Sequence, residues 1–202
     1  MTTWQGLVAA GTDDATETDN GSGFSTVSSP LVITEDTNAA VRANGGIRFV
    51  TTVPAGATIN SATLDVIFNS TARDSPQWDI YIEDDDGALD YVGEADVTSR
   101  APLTSGVSWA AANLGTSRVS SPDLAAIIQT VVSRAGFTGV LNIICKGKNQ
   151  AVGETGRPIA RDGSATNCAQ LTIDYSTGGA GSGPLISGGL VGEGIVNGGL
   201  IE

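Results

Sequence analysis

The chain has 202 residues, with 22 acidic against 10 basic side chains, a formal net charge of −12 and no histidine. A field of that sign repels phosphate backbones and excludes direct nucleic-acid binding. The missing histidine removes the commonest general base and metal ligand, which argues against an enzyme and against a resident cofactor or metal. The length suits one domain with appendages. Residues 1–23 are polar and acidic, with Asp13, Asp14, Glu17 and Asp19 close together and Gly21 and Gly23 at the end. They read as a loose N-terminal arm or an edge strand, and the acids as a solvated face. A calcium loop is the sharper alternative, but the spacing does not match D-x-D-x-D-G.

The pattern from residue 24 onward is that of strands. Thr26 to Thr34 carries Val27, Leu31, Val32 and Ile33, and Gly46 to Val53 sets Ile47 and Phe49 against Arg48 and Val50 before the turn signal Pro54-Ala55-Gly56. From Ala62 to Asn69, Leu64, Val66 and Phe68 face one way while Thr63, Asp65 and Ile67 face the other. Trp78, Ile80 and Ile82 alternate with Asp79 and Tyr81, which predicts a core role for Trp78. An aromatic sugar platform built from Trp78, Tyr81, Tyr91 and Trp109 is the competing reading. Asp84-Asp85-Asp86-Gly87, flanked by Glu83 and Asp90, is expected to be a charged loop rather than a metal site. Tyr91-Val92 and Val107 to Trp109 suggest short strands.

One helix interrupts the strands. Ser121 supplies an N-cap, Pro122 the first helical position and Asp123 a first-turn acid, followed by Leu124, Ile127, Ile128, Val131 and Val132 at helical spacing. With Arg134 near the C-terminus and Gly136 as the stop, the expected helix is about fourteen residues long. Gly139 to Cys145 and Cys168 to Tyr175 close the domain as strands around a long polar segment. Alternation puts Cys145 on an apolar face with Leu141 and Ile143, and Cys168 on a polar face with Gln170, Thr172 and Asp174. Two reduced, separate thiols follow, and a two-cysteine zinc site does not. A serine nucleophile lacks a base; the formal remainder is a serine–lysine pair through Lys146 or Lys148. Many short strands with Gly, Pro and Asp turns predict an all-β fold, a jelly roll or β-sandwich with one short helix, over residues 24–176.

The run Gly45-Gly46-Ile47-Arg48-Phe49, then Val53-Pro54-Ala55-Gly56-Ala57-Thr58-Ile59-Asn60-Ser61-Ala62-Thr63-Leu64, resembles the opening strands of a jelly-roll group with an "LRF … PAGATITSATL" pattern. Val107-Ser108-Trp109 and Ser121-Pro122-Asp123-Leu124-Ala125-Ala126-Ile127-Ile128-Gln129 resemble its Trp-then-helix portion, so the likeness covers about residues 25–176. The group comprises carbohydrate-binding-module-like domains of bacterial surface proteins and similar domains of phage virion proteins. The resemblance implies architecture more than activity.

Residues 177–202 form a Gly-rich extension holding ten of the chain's 27 glycines. Leu185-Ile186, Leu190-Val191, Ile195-Val196 and Leu200-Ile201 are apolar doublets at a five-residue beat. A flexible linker does not space paired aliphatics evenly, collagen needs glycine at every third position, and a membrane span needs an unbroken apolar run. Neighbouring residues of an extended strand point to opposite faces, so each doublet offers apolar surface to both sides. The eight aliphatics are therefore the expected partner-binding residues of an arm that docks on copies of the chain or on capsid and other virion proteins. The start, Met1-Thr2-Thr3-Trp4-Gln5, has no basic region and no long apolar run, so synthesis in the cytoplasm without a signal peptide is expected. Both departures from the secreted members point to a virion-surface protein, a capsid decoration or head-fibre protein. A glycan-binding or adhesin module of a larger assembly is the alternative.

Overall fold

The computed structural model describes residues 1–34, 37–38, 40–69, 77–94, 96–110, 117–148 and 155–178. The described residues form an all-β sandwich with one short helix. One sheet holds β1 (Thr2–Leu7), β11 (Gln170–Ser176), β5 (Thr58–Val66) and β8 (Val119–Ser120) in that order. The facing sheet holds β2 (Asp14–Thr18), β4 (Ala43–Val50), β9 (Val140–Gly147), β6 (Gln77–Ile82) and β7 (Val107–Ala110). A short pair, β3 (Ile33–Thr34) with β10 (Thr155–Gly156), forms a separate two-stranded sheet packed on β4 and β9. Every pairing is antiparallel.

Period-two alternation builds the core. Leu64, Val66 and Phe68 are buried as a set, as are Trp78, Ile80 and Ile82 from the opposite sheet, and Leu141, Ile143 and Cys145 join them from β9. Beyond β5 the chain keeps its extended course to Phe68, which bridges to Pro158 while Ile159 N–H donates to the Ile67 carbonyl. The turn at Pro54-Ala55-Gly56 uses Gly56 at φ +74°, where a side chain would be strained.

The N-terminal segment is a working part of the sandwich. β1 is the edge strand of its sheet, pairing from Thr2 opposite Tyr175 to Leu7 opposite Gln170, and β2 edges the other sheet. The expected solvated acidic face is overturned. Asp13, Asp14 and Glu17 are buried, because Arg48 pairs with Asp13, Arg161 N–H donates to Asp14, and Val97 and Thr98 N–H donate to Glu17.

Several boundaries differ from expectation, and the strand expected from Ala62 to Asn69 runs from Thr58 to Val66. The segment 26–34 is a strand only at Ile33–Thr34, and Val27 is exposed; Pro30 lacks an N–H, and Leu31 instead ties to the Pro158 carbonyl. The strand expected from Gly46 to Val53 runs from Ala43 to Val50, with Val53 buried in the turn that follows. Tyr91-Val92 is no strand. Helix α1 (Ala125–Val132) is eight residues long and begins after the expected Pro122. Ser121 and Asp123 are claimed by the edge of β5: Ser121 Oγ accepts from Leu64 N–H, and Asp123 Oδ1 from both Ala62 and Ala125 N–H. Ile127, Ile128, Val131 and Val132 bury the apolar stripe, and the Gln129 amide caps the start of β5 through Ile59 N–H and the Ala57 carbonyl.

Candidate functional site

The outer face of the five-stranded sheet carries the polar phase of the same alternation. Register places Asn44 opposite Lys146, Lys146 opposite Asp79, and Asp79 opposite Ser108, so one row of side chains crosses β4, β9, β6 and β7. The next row sets Gly46 opposite Ile144 and Ile144 opposite Tyr81. Side chains that share a face across antiparallel strands meet directly, so this face is a prepared surface whose use depends on what covers it.

Half of it is covered by a strap that leaves β6 at Glu83 and returns at Pro102, the two residues forming a bridge. Tyr91, on this strap, lies over Gly46, where a β-carbon would overlap its hydroxyl. That hydroxyl donates to Asn142 Oδ1, and Asn142 Nδ2 donates to Glu83 at 2.8 Å. Arg100 stacks on the Tyr91 ring at 4.2 Å, pairs with Glu83 and Asp96, and donates to the Leu89, Asp90 and Asp96 carbonyls. Burial pushes the Tyr91 phenol above its ordinary value, which keeps it a donor. Tyr91, Ala15 and Val97 form a second small apolar cluster with Phe24 against it. The strap is thereby bolted down, which explains why Tyr91 is buried while its neighbour Val92 is 80% exposed.

The other half is open. It forms a groove of about 410 Å³ whose walls include Asp19, Asn44, Asp79, Tyr81, Lys146 and Lys148. Arg42 and Asn44 both donate to Asp19, and Lys148 pairs with Asp79 at 3.5 Å. The Lys146 ammonium stands 5.6 Å from the Tyr81 ring centre. Burial, with Asp79 nearby, raises the Tyr81 phenol, so it too is a donor at neutral pH. Ser108 Oγ donates to Asp79 at 2.6 Å and lies 3.2 Å from the Lys148 ammonium, which can only donate to it.

The acidic loop is held by a cation from the protein itself. Asp84 and Asp86 pair with Arg134, which sits just past α1 and supports the loop rather than the helix terminus. Among the described residues no group of three or more carboxylates or thiols is arranged to hold a metal ion. EDTA is expected to leave the melting temperature unchanged; a fall of many degrees, restored by calcium, contradicts that reading of the clusters at Asp13 and Asp84.

Both cysteines are free and buried, but not as alternation predicts for Cys168. It precedes β11 in a turn, where its N–H donates to the Ser164 carbonyl, and the backbone course there turns its thiol inward rather than onto the polar face of Gln170, Thr172 and Asp174. Cys145 belongs to the facing sheet, and burial pushes its thiol up to about 12. Of the four aromatics weighed as a platform, Trp78, Tyr91 and Trp109 are buried and only Tyr81 borders a groove.

The predicted partner-binding residues Leu185, Ile186, Leu190, Val191, Ile195, Val196, Leu200 and Ile201 lie outside the described residues. What sequence reasoning missed is the Asn44–Lys146–Asp79 row. Its signal was present in the polar phase of three strands and in the placement of both lysines at the end of one of them, but strand order is not readable from alternation. No protein-family model matches the chain, and no curated protein matches it.

Proposed function

We propose that the chain is a non-catalytic structural protein of a virion surface, a capsid decoration or head-fibre protein that attaches through its C-terminal doublets and displays the sandwich. The observation that carries this reading is the five-residue doublet spacing beyond the last strand of the sandwich. The core cluster runs from Val8 to Tyr175, and β11 ends at Ser176. The doublets' apolar surface gains most when it is buried against a partner, whereas ordering a lone Gly-rich segment carries a large entropy cost. The segment leaves the sandwich beside Thr2, at one end of the β1 edge, well away in sequence from the strap and groove.

Deletion of residues 178–202 tests it. The truncated protein is expected to keep its melting temperature within about two degrees and to lose self-association in sedimentation and attachment to particles. Replacing Leu190, Val191, Ile195 and Val196 together with serine is expected to do the same. Normal decoration by the truncated protein, or an unprotected tail in hydrogen exchange of the assembly, makes the segment a linker and sinks the arm.

A second reading, a glycan-binding or adhesin module, is favoured by one specific observation: the open groove with Tyr81 among cations and amides. A tyrosine beside charged and amide side chains offers the stacking surface and hydrogen bonds that sugars use. Retention of the full chain on a polysaccharide column, reversed by soluble sugar, is the result this reading expects.

A further inference from the structure

Among the described residues, β1 is the longest sheet edge that nothing covers. The β2 edge is closed by residues 22–25, since Thr16 and Ser25 exchange backbone hydrogen bonds and Thr18 N–H donates to the Ser22 carbonyl. On the far side of the other sheet, β8 and the residues after it run along β5 into α1. β7 has four residues, whereas β1 has six, with no charge, no proline and an unbroken register against β11. Native edges are ordinarily blunted by charge, proline or a bulge, because a plain one templates another strand.

The ladder fixes which backbone groups face outward. Val8 N–H donates to the Ala169 carbonyl, one step beyond the pairing of Leu7 with Gln170. Bonded and non-bonded pairs alternate along antiparallel strands. Trp4 and Gly6 therefore spend their N–H and C=O groups on β11, and Thr3, Gln5 and Leu7 turn theirs to the open edge. The opposite side of β5 obeys the same phase. Ala62 and Leu64, across from Ile173 and Leu171, send their N–H groups to Asp123 and Ser121 rather than to β11.

Residues 185–191 of the C-terminal extension match this edge. They are seven in number, with no charge and no proline, so pairing them with β1 buries no ion. Trp4 and Gly6 lie opposite the buried Ile173 and Leu171, which makes theirs the core-facing side. An antiparallel strand with Gly188 opposite Trp4 sets the one side-chain-free position against the indole and puts Ile186 and Leu190 on that same side. On the outer side Ser187 falls opposite Gln5, and Val191 opposite Met1, which is 86% exposed. Within one chain the extension leaves β11 beside Thr2 and must start at Leu7 to pair this way. Such a crossover takes about a dozen residues or more, and residues 177–184 supply eight.

We propose that the β1 edge of one copy receives residues 185–191 of a neighbouring copy as an added antiparallel strand. The inference rests on the arm reading above and names the seat of the arm.

The test follows hydrogen exchange and sedimentation of the full chain over a dilution series. In the associated state the Thr3, Gln5 and Leu7 amides are expected to exchange at least about a hundredfold more slowly than in the diluted monomer, with Trp4 and Gly6 protected in both. Gln5→Pro removes one outward donor where an edge strand tolerates proline, and is expected to abolish association and the added protection of Thr3 and Leu7. Gly188→Val lies outside the sandwich and is expected to weaken association at least about tenfold by crowding Trp4, although a contact of unspecified geometry gains from the added apolar surface. If Gln5→Pro lowers the melting temperature, Gly188→Val decides. Unchanged association in either folded variant, or free exchange of Thr3, Gln5 and Leu7 in the associated state, overturns this seat and leaves the arm to dock elsewhere. Protection that survives dilution to monomer overturns the neighbouring copy and assigns the strand to its own chain. A full chain that stays monomeric at every concentration overturns the proposal, whereas the arm reading itself falls only if the chain lacking residues 178–202 still attaches to particles.

Discussion

Replacing Phe68 with alanine is expected to lower the unfolding free energy by about 3–5 kcal/mol, the range for removing a large aromatic side chain from a packed core. Phe68 is 1% exposed and stands 5.5 Å from the Trp78 ring, which in turn meets Trp109 edge-on at 5.2 Å. Truncation leaves a void between the sheets that this trio cannot refill, since Trp78 is pinned between its two aromatic neighbours. Aromatic pairing adds roughly 0.5–1.5 kcal/mol beyond area burial, so the loss belongs near the upper end of the range. Phe68→Leu keeps most of the volume and is expected to cost about 1–2 kcal/mol. Urea unfolding with an unchanged m-value checks both. A loss below about 1 kcal/mol for the alanine variant contradicts the place of Phe68 in the core.

Phe68 also illustrates what the sequence carries. Strict alternation over Leu64, Val66 and Phe68, and over Trp78, Ile80 and Ile82, identifies their strands and their inward faces, because a period of two leaves no other placement for the apolar set. The helix stripe at Ile127, Ile128, Val131 and Val132 is legible for the same reason with a different period. What fails is whatever depends on long-range partners. Ser121 and Asp123 look like a helix start until β5 claims them, and the acids from Asp13 to Glu17 look solvated until Arg48, Arg161 and the strap meet them. Tyr91 has the composition of a strand residue but is a bolt over Gly46. The candidate groove belongs to this second class. Asn44, Asp79 and Lys146 lie on three strands that become neighbours only when β4, β9 and β6 pair.

The strap and the groove divide one sheet face, and their chemistry differs in a way that bears on function. Under the strap, Arg100 pairs with Glu83 and Asp96, and Tyr91 donates to Asn142. Fully satisfied buried networks rigidify, so the strap is a fixed wall. Beside it, the open groove is lined by Asp19, Asn44, Asp79, Tyr81 and both lysines.

The pH dependence of stability is expected to carry a signature of Asp14. Its carboxyl is 3% exposed, Oδ2 accepts from Arg161 N–H at 2.7 Å, and Oδ1 has no hydrogen-bond partner. Burial raises its pKa from 3.8 to about 7, with Asp162 and Asp13 adding to the rise and the Arg161 N–H opposing it. The folded protein therefore holds a proton that the unfolded chain releases across the interval from 3.8 to about 7. More protons bound in the folded state means that stability falls as pH rises. The contribution is fully present below the unfolded value and is lost as pH passes through the folded one, an effect of up to about 4 kcal/mol at 1.36 kcal/mol per unit. Asp14→Asn cannot ionise and keeps an oxygen that can accept from Arg161. The difference in unfolding free energy between variant and parent is thus expected to grow in the variant's favour from about pH 4 to pH 7 and to level off above it. Urea unfolding of both proteins across that window measures the difference directly and cancels the other carboxylates. Parallel pH profiles place the Asp14 carboxyl at its ordinary value and remove it as the source of the pH dependence.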